Sequence, residues 1–232
     1  MLNINAYSGL GSIKVKPPSP PGSPIIAFLA ENVTADAWAN SGSGGATYNA
    51  TKSGTPILGN PIGDFNSVRF KTTSDYMTLA SEYVLPSTAI VACVVQIDGY
   101  SEYAVPLGQN SVTNGGHSRF ELRNLGYVDA DALDDAGNST FQTTVGYMGP
   151  GNWVRGIFDR TSAANFTHHA NGSSAASPYS LVSSIRIGRI GRSNADTRGQ
   201  FSTSYAEILV YPDRAITWDQ IDAYFKAKFM IP

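Results

Sequence analysis

The chain has 232 residues, of which 42% are apolar and only 15% charged, with a formal net charge of −2. The charged share is well below the usual quarter. With no basic run, the sequence gives no electrostatic reason to expect nucleic acid or an anionic membrane as a partner. A single cysteine, Cys93, excludes an intrachain disulfide and any metal site built from several cysteines. Within IVACVVQI it reads as a small buried hydrophobe.

Met1 to Ser23 reads as a separate extended arm. Its end, Lys16-Pro-Pro-Ser-Pro-Pro-Gly-Ser-Pro, favours polyproline II because proline fixes φ and removes a donor. It is either a disordered tail or a docking arm that holds the remainder, 24–232, at a distance from a partner. The start has no basic segment followed by an apolar one, as a secretory signal requires. The expectation is therefore a protein made and first used in the cytoplasm.

From Pro24 the pattern is that of strands. Ile25 to Ala30 is continuously apolar, and Glu31 to Asn60 is polar, with Trp38 and Tyr48 as its large anchors. Ser67 to Lys71 alternates, and Tyr76 to Ala80 follows a Thr73-Ser-Asp turn. Thr88 to Asp98, rich in β-branched residues, is a central strand. Alternation continues at Tyr103 to Leu107, Ser118 to Arg123 and Thr140 to Tyr147. Asn152 to Arg160 is placed to pair with Asn165 to Gly172. Strands separated by Gly, Asn, Asp and Ser predict an antiparallel sandwich or barrel.

Ser184 to Phe229 reads as two strands, a Tyr211-Pro-Asp turn and one helix. Thr217 is a good N-cap, with Gln220 in the capping-box position. Trp218, Ile221, Tyr224, Phe225 and Phe229 fall on one helical face. Lys226 and Lys228 complement the negative end of the helix dipole.

In order, these pieces resemble the concanavalin A-like, laminin-G-like jelly-roll domains. The residues that carry the likeness begin with Trp38-Ala-Asn-Ser-Gly-Ser-Gly-Gly-Ala-Thr, Pro56-Ile-Leu, Ser67-Val-Arg-Phe and Asp75-Tyr-Met. They continue with Asn152-Trp-Val-Arg-Gly-Ile-Phe-Asp-Arg and Thr167-His-His-Ala-Asn-Gly. The series ends on Ile187-Gly-Arg, Ala206-Glu-Ile-Leu-Val-Tyr and Ala215-Ile-Thr. Lys71-Thr-Thr replaces the usual Asp-Gly turn, and the match is weakest from Gln109 to Gly151. The resemblance implies an all-β jelly roll with a short trailing helix. Such domains serve as glycan binders, adhesion modules, a few hydrolases and structural parts of phage particles, so fold alone does not name the function.

Hydrolases of this fold use Glu-x-Asp-x-Glu along one strand, where alternate residues share a face. Glu31, Glu82, Glu102, Glu121 and Glu207 never show that spacing, so no enzyme is expected, and a glycoside hydrolase is the remotest reading. Glu207 reads as a packing residue. Asp129-Ala-Asp-Ala-Leu-Asp-Asp reads as a solvated loop, in which Asp129 and Asp131 are weak calcium candidates. No other cofactor is implied. His168 and His169 are adjacent on a strand, so they point to opposite faces and cannot chelate together. Arg186, Arg189, Arg192 and Arg198 read as scattered surface charge or, with His117 and Tyr127, as an interaction surface. From that group, His117, Tyr127, Arg189 and Arg192 are the candidate glycan- or partner-binding residues.

A lectin-like jelly roll beginning without a signal leads to one expectation: a non-enzymatic structural protein on the surface of a bacteriophage virion, as capsid decoration, fibre or tail component. Assembly in the host cytoplasm, attachment to other virion proteins through the arm, and a homo-oligomer such as a trimer follow from it. A host-surface glycan is the external partner it implies. The alternative is a glycan-binding lectin or adhesin module unconnected with a virus.

Overall fold

The most apolar stretch behaves as its composition demands. In the computed structural model, which describes residues 17–99, 103–110, 118–124, 128–140, 151–192 and 202–231, Ala89–Ile97 is a strand with no exposed residue. Val91, Cys93, Val95 and Ile97 enter one core, whereas Ile90, Ala92 and Val94 enter another. Alternate residues of a strand face opposite sides, so a continuous apolar run means that both sides are covered. Burial pushes the Cys93 thiol upward, in keeping with a packing role.

In chain order the elements are β1 (Ile26–Val33), β2 (Ala37–Asn40), a 3-10 turn (Gly45–Tyr48), β3 (Ala50–Ser53), β4 (Ile57–Leu58) and β5 (Val68–Phe70). β6 (Tyr76–Val84), β7 (Ala89–Ile97), β8 (Tyr103–Ala104), β9 (Arg119–Asn124) and β10 (Val128–Leu133) follow. The last are β11 (Trp153–Arg160), β12 (Phe166–Ala170), β13 (Ser173–Ala176), β14 (Arg186–Ile190), β15 (Thr203–Tyr211) and α1 (Trp218–Phe229).

One hydrogen-bonded path runs β13-β12-β11-β7-β15-β1-β2-β3-β6-β14, and β10-β9-β8 forms a separate sheet. The path changes layer between β1 and β2, where the register shifts between Phe28 and Val33. Gly108 bridges both Arg189 and Arg119, which sets the small sheet beside β14. The result is a two-layer antiparallel sandwich. Phe28, Trp38, Phe70, Phe120, Phe158 and Tyr205 fill the space between its layers.

β11 pairs with β12 as expected, and Asn171-Gly172 then closes β12 on β13. Both residues have positive φ (48° and 84°), the conformation that two-residue hairpin turns require and that Asn-Gly adopts at least cost. His168 and His169 part as the strand pattern requires. His168 stacks on Phe166, with ring centres 5.9 Å apart, and His169 stacks on Trp218 at 4.2 Å.

Helix α1 covers the outer side of β1, β15, β7 and β11. Its capping box forms as expected, and Ile221, Tyr224, Phe225 and Phe229 pack on Ala27, Ile90, Ala92, Val94 and Leu209. Each large side chain so buried contributes roughly 1.5–3 kcal/mol. Among the described residues no helix is long and apolar enough to cross a membrane.

Lys228 departs from expectation. Instead of lying at the surface near the helix end, it is buried, donating to Glu207 Oε2 at 2.5 Å, Glu31 Oε2 at 2.8 Å and Tyr224 Oη at 3.1 Å. Tyr224 donates to Glu207 Oε1 at 2.5 Å. Glu207 reaches the helix because β15 bulges: Tyr205 pairs with Val95, but Glu207, two residues on, pairs with the adjacent Val94. The extra residue turns Glu207 out of the inter-sheet core and under α1. The structural role expected of Glu207 is thereby explained.

The described part of the arm touches the sandwich. Gly22 lies beside Ile216 and Tyr211.

Candidate functional site

Among the described residues the second layer carries no helix on its outer side, and two of the arginines singled out in the sequence, Arg189 and Arg192, meet there. β14 pairs with β6 through Ile190–Met77 and Arg189–Thr78, then through Ile187–Tyr83 after a shift in register. That bulge draws Glu82 over Gly188. A Cβ on Gly188 would stand 2.7 Å from Glu82 Cγ and 2.8 Å from Asn110 Cβ, so only glycine admits the approach. The backbone N–H groups of Gly188 and Arg189 donate to Gly108 O at 2.7 and 2.8 Å, pinning the 107–110 segment to the strand edge.

On this scaffold the Asn110 N–H donates to Glu82 Oε1 at 2.7 Å, and Arg189 Nε donates to Asn110 Oδ1 at 2.8 Å. The Arg189 guanidinium lies 4.7 Å from the centre of the Tyr76 ring, and that of Arg192 lies 5.1 Å from it. Arg192 also donates to Thr73 O at 2.7 Å. Two cations thus share one aromatic ring, the arrangement that the ring's negative face favours. Burial and the neighbouring Arg192 charge hold Arg189 below the usual guanidinium value, while Tyr76 and Glu82 oppose them.

Tyr76 is positioned by the turn before it, Lys71 to Asp75. Asp75 supplies the closure. Its carboxylate accepts from Thr55 N at 2.8 Å and from Lys71 N and Thr72 N at 3.1 Å. Burial acts to raise its pKa, but these donors outweigh burial and leave it below the usual carboxylate value.

The Asp129–Asp135 stretch is a correction. It is not a solvated loop: Val128–Leu133 is strand β10, buried along its whole length. Asp129 and Asp131 stand opposite Arg123 and Glu121 of β9, on the face that also carries Arg119. Apolar Phe120, Leu122, Ala130 and Ala132 turn to the core, so strict alternation in this hairpin explains why the acids recur at every second position. Ser139 donates its hydroxyl to both oxygens of Asp131, each at 2.8 Å. Burial pushes the Asp131 carboxyl up against the pull of Ser139 and the Arg119 charge. Among the described residues no group of three or more His, Cys, Asp or Glu side chains is placed to hold a metal.

Of the sequence candidates, the fold brings Arg189 and Arg192 together on Tyr76. They are therefore not scattered charge. Arg186 turns away to pair with Asp135 at 3.0 Å. His117, Tyr127 and Arg198 lie outside the described residues. Sequence reasoning missed Tyr76, Glu82 and Asn110 as partners. The alternation of Tyr76-Met-Thr-Leu marks Tyr76 as facing outward, but nothing local reveals a bulge or a segment arriving 30 residues later.

No family model matches the sequence, and no curated protein matches it. Solved structures do. Domain 4 of a GH43 extracellular arabinanase from Geobacillus stearothermophilus, in complex with arabinotriose, has a TM-score of 0.62 at 12% identity, covering 87% of this chain and 98% of that one. The binding domain of botulinum neurotoxin serotype D has a TM-score of 0.59 at 12% identity, covering 88% of this chain and 51% of that one. The binding domain of Paraclostridial Mosquitocidal Protein 1 gives 0.55 at 10% identity, covering 87% and 52%. This chain thus spans about half the length of the two toxin domains and nearly all of the arabinanase domain. At such identities the likeness is one of fold. The chain is an antiparallel jelly-roll β-sandwich with a C-terminal helix.

Proposed function

We propose that this chain is a non-enzymatic, lectin-like binding module that takes a glycan on the outer side of its second layer, displayed on the surface of a bacteriophage virion. The observation that carries the binding reading is the pinned cluster of Tyr76, Arg189, Arg192, Glu82 and Asn110. It joins an aromatic body to fixed donors and acceptors, the combination that sugar hydroxyls and C–H faces match. The cluster is pre-organised by the Gly108 and Gly188 backbone, so little ordering remains to be done on binding. Support from outside the chain is that its structural neighbours include toxin binding domains and an arabinanase domain solved in complex with arabinotriose.

A glycan array, run with and without calcium, tests the binding. Wild-type hits that Tyr76→Ala weakens about tenfold or more support it; an array at background with both buffers removes it. The virion placement rests on the sequence pattern and is tested separately. Mass spectrometry of purified particles detects the chain if the placement is right, and deletion of 1–23 then abolishes its incorporation. A second reading, a glycan-binding module of an exported protein unconnected with a virus, is favoured by the likeness to a domain of an extracellular arabinanase. It gains if array hits persist and particles lack the chain.

A further inference from the structure

One end of the sandwich opens where β6 passes into β7, β11 turns into β12, and the 177–185 segment crosses between them. A cavity of about 500 Å³ lies there, within the range of small-molecule sites. Leu85 and Leu181 form an apolar floor, Arg160 is buried in the wall, and Ser87, Ser183 and Ser184 stand around it.

Arg160 is the anomaly. It is 4% exposed, and the other two buried arginines among the described residues, Arg119 and Arg155, each hold a carboxylate at 2.7 Å. Arg160 has no carboxylate oxygen within 4 Å among the described residues; its hydrogen bonds go to neutral carbonyls, and its guanidinium lies 5.9 Å from the centre of the Phe166 ring. Its Nη1 donates to Leu85 O at 3.1 Å and Pro86 O at 2.9 Å, and its Nη2 to Ala163 O at 2.6 Å. Nε has no partner. Two of five guanidinium donors therefore remain, Nε–H and one on Nη2. Nε is itself shielded from solvent, so the donor left for a group entering from outside is the one on Nη2.

The nearest acid to influence Arg160 is Asp134, and its oxygens are turned elsewhere. They accept from the backbone N–H groups of Ala136, Asn138, Val182 and Ser183. A buried cation whose nearest counter-charge makes no direct contact is costly to maintain. Here it borders a cavity large enough to admit the counter-charge from outside.

We infer that this end cavity binds an acidic sugar, its carboxylate meeting the Arg160 guanidinium, its hydroxyls the three serines, and its C–H face the two leucines. The inference rests on the glycan-binding reading and places a second subsite apart from Tyr76. The contact this geometry leaves is one charge-assisted bond from Nη2 to a carboxylate oxygen.

The test is calorimetric titration of the whole chain with oligosaccharides carrying galacturonate, glucuronate or sialate, each beside its neutral parent. At least one acidic member should bind about tenfold or more tightly than its parent, since hydrogen bonds to charged groups are the strong ones. Arg160→Met should abolish that preference. Because Arg160 ties three carbonyls and its loss can unfold the end of the sandwich, Ser87→Trp, an exposed rim plug, is the second variant and should lower the acidic ligand's affinity at least tenfold. If neutral sugars bind as well as acidic ones, or if Ser87→Trp changes nothing, the inference falls while the glycan reading stands. Sodium acetate binding as tightly as the acidic sugar would also overturn it, by reducing the site to a general anion pocket. If no sugar binds and the array is blank as well, both fall together.

Discussion

The two outer sides of the sandwich were built from the same materials and came to opposite ends. Each carries glutamate, a basic residue and tyrosine, and each is shaped by a bulge. On the first layer the bulge in β15 turns Glu207 under α1, where Lys228 and Tyr224 close on it and leave all three buried. On the second layer the shift between β6 and β14 brings Glu82 to Asn110 and Arg189, but among the described residues no helix covers them and they stay half-exposed. The difference teaches that polar residue type does not distinguish a packing site from a binding one in this fold. The cover does. A charge under a helix must be paired in place, whereas the uncovered side keeps its donors and acceptors within reach of a ligand.

The largest test of that contrast breaks the covered side. Lys228→Ala leaves Glu207 buried and uncompensated, and about 3–5 kcal/mol should be lost from the urea unfolding free energy. Glu207→Leu with Lys228→Met should recover most of it, since an apolar pair removes the desolvation problem. A double variant as unstable as the single one would show that the cluster contributes through more than mutual compensation.

Acid titration comes next, and it separates the layers because the described histidines, His168 and His169, belong to the interior and to the helix side. Burial holds each at about 4, below the ordinary 6.5. The unfolded chain therefore binds more protons between pH 6.5 and 4. Stability is complete above 6.5 and declines as pH falls through that window, by about 3 kcal/mol from His168, with His169 acting in the same direction. Asp75 and Asp134 lie below their ordinary 3.8, so their contributions persist above that value and are lost only in stronger acid. Unfolding free energies measured from pH 7 to 4 should show the decline, and His168→Phe should flatten it.

On the uncovered side, Gly188→Ala forces a Cβ into Glu82 and Asn110. It should cost about 1–3 kcal/mol of stability by overpacking and weaken array binding, while the Arg160 cavity keeps its ligand. Loss at both sites would mean that the damage had spread through the sandwich. The smallest effect is expected at the end of α1, where Met230 takes a left-handed conformation with φ 52°. Met230→Gly relieves that strain and should raise stability by about 0.5–1 kcal/mol, with no change in binding.

Much of this architecture was legible in the chain, and for local reasons. The apolar run of β7 and the Thr217–Gln220 capping box depend on side chains within a few residues of one another, so strand alternation and capping chemistry identify them directly. The same alternation placed His168 and His169 on opposite faces. It failed at Asp129 and Asp131, because acidic residues at every second position fit an exposed loop and a paired strand equally well. Only the opposing Arg119, Glu121 and Arg123 of β9 distinguish the two.

What the sequence by itself determined is thus the fold class, the central strand and the terminal helix. Tertiary structure alone decided that Lys228 is internal, that Arg189 and Arg192 meet on Tyr76, and that Arg160 lines a cavity with no carboxylate of the described residues in contact with it. The physical reason is register. Each of these outcomes depends on bulges and on segments that meet from tens to more than a hundred residues apart. A one-residue shift in pairing moves a side chain to the other face, and composition does not record where that shift occurs.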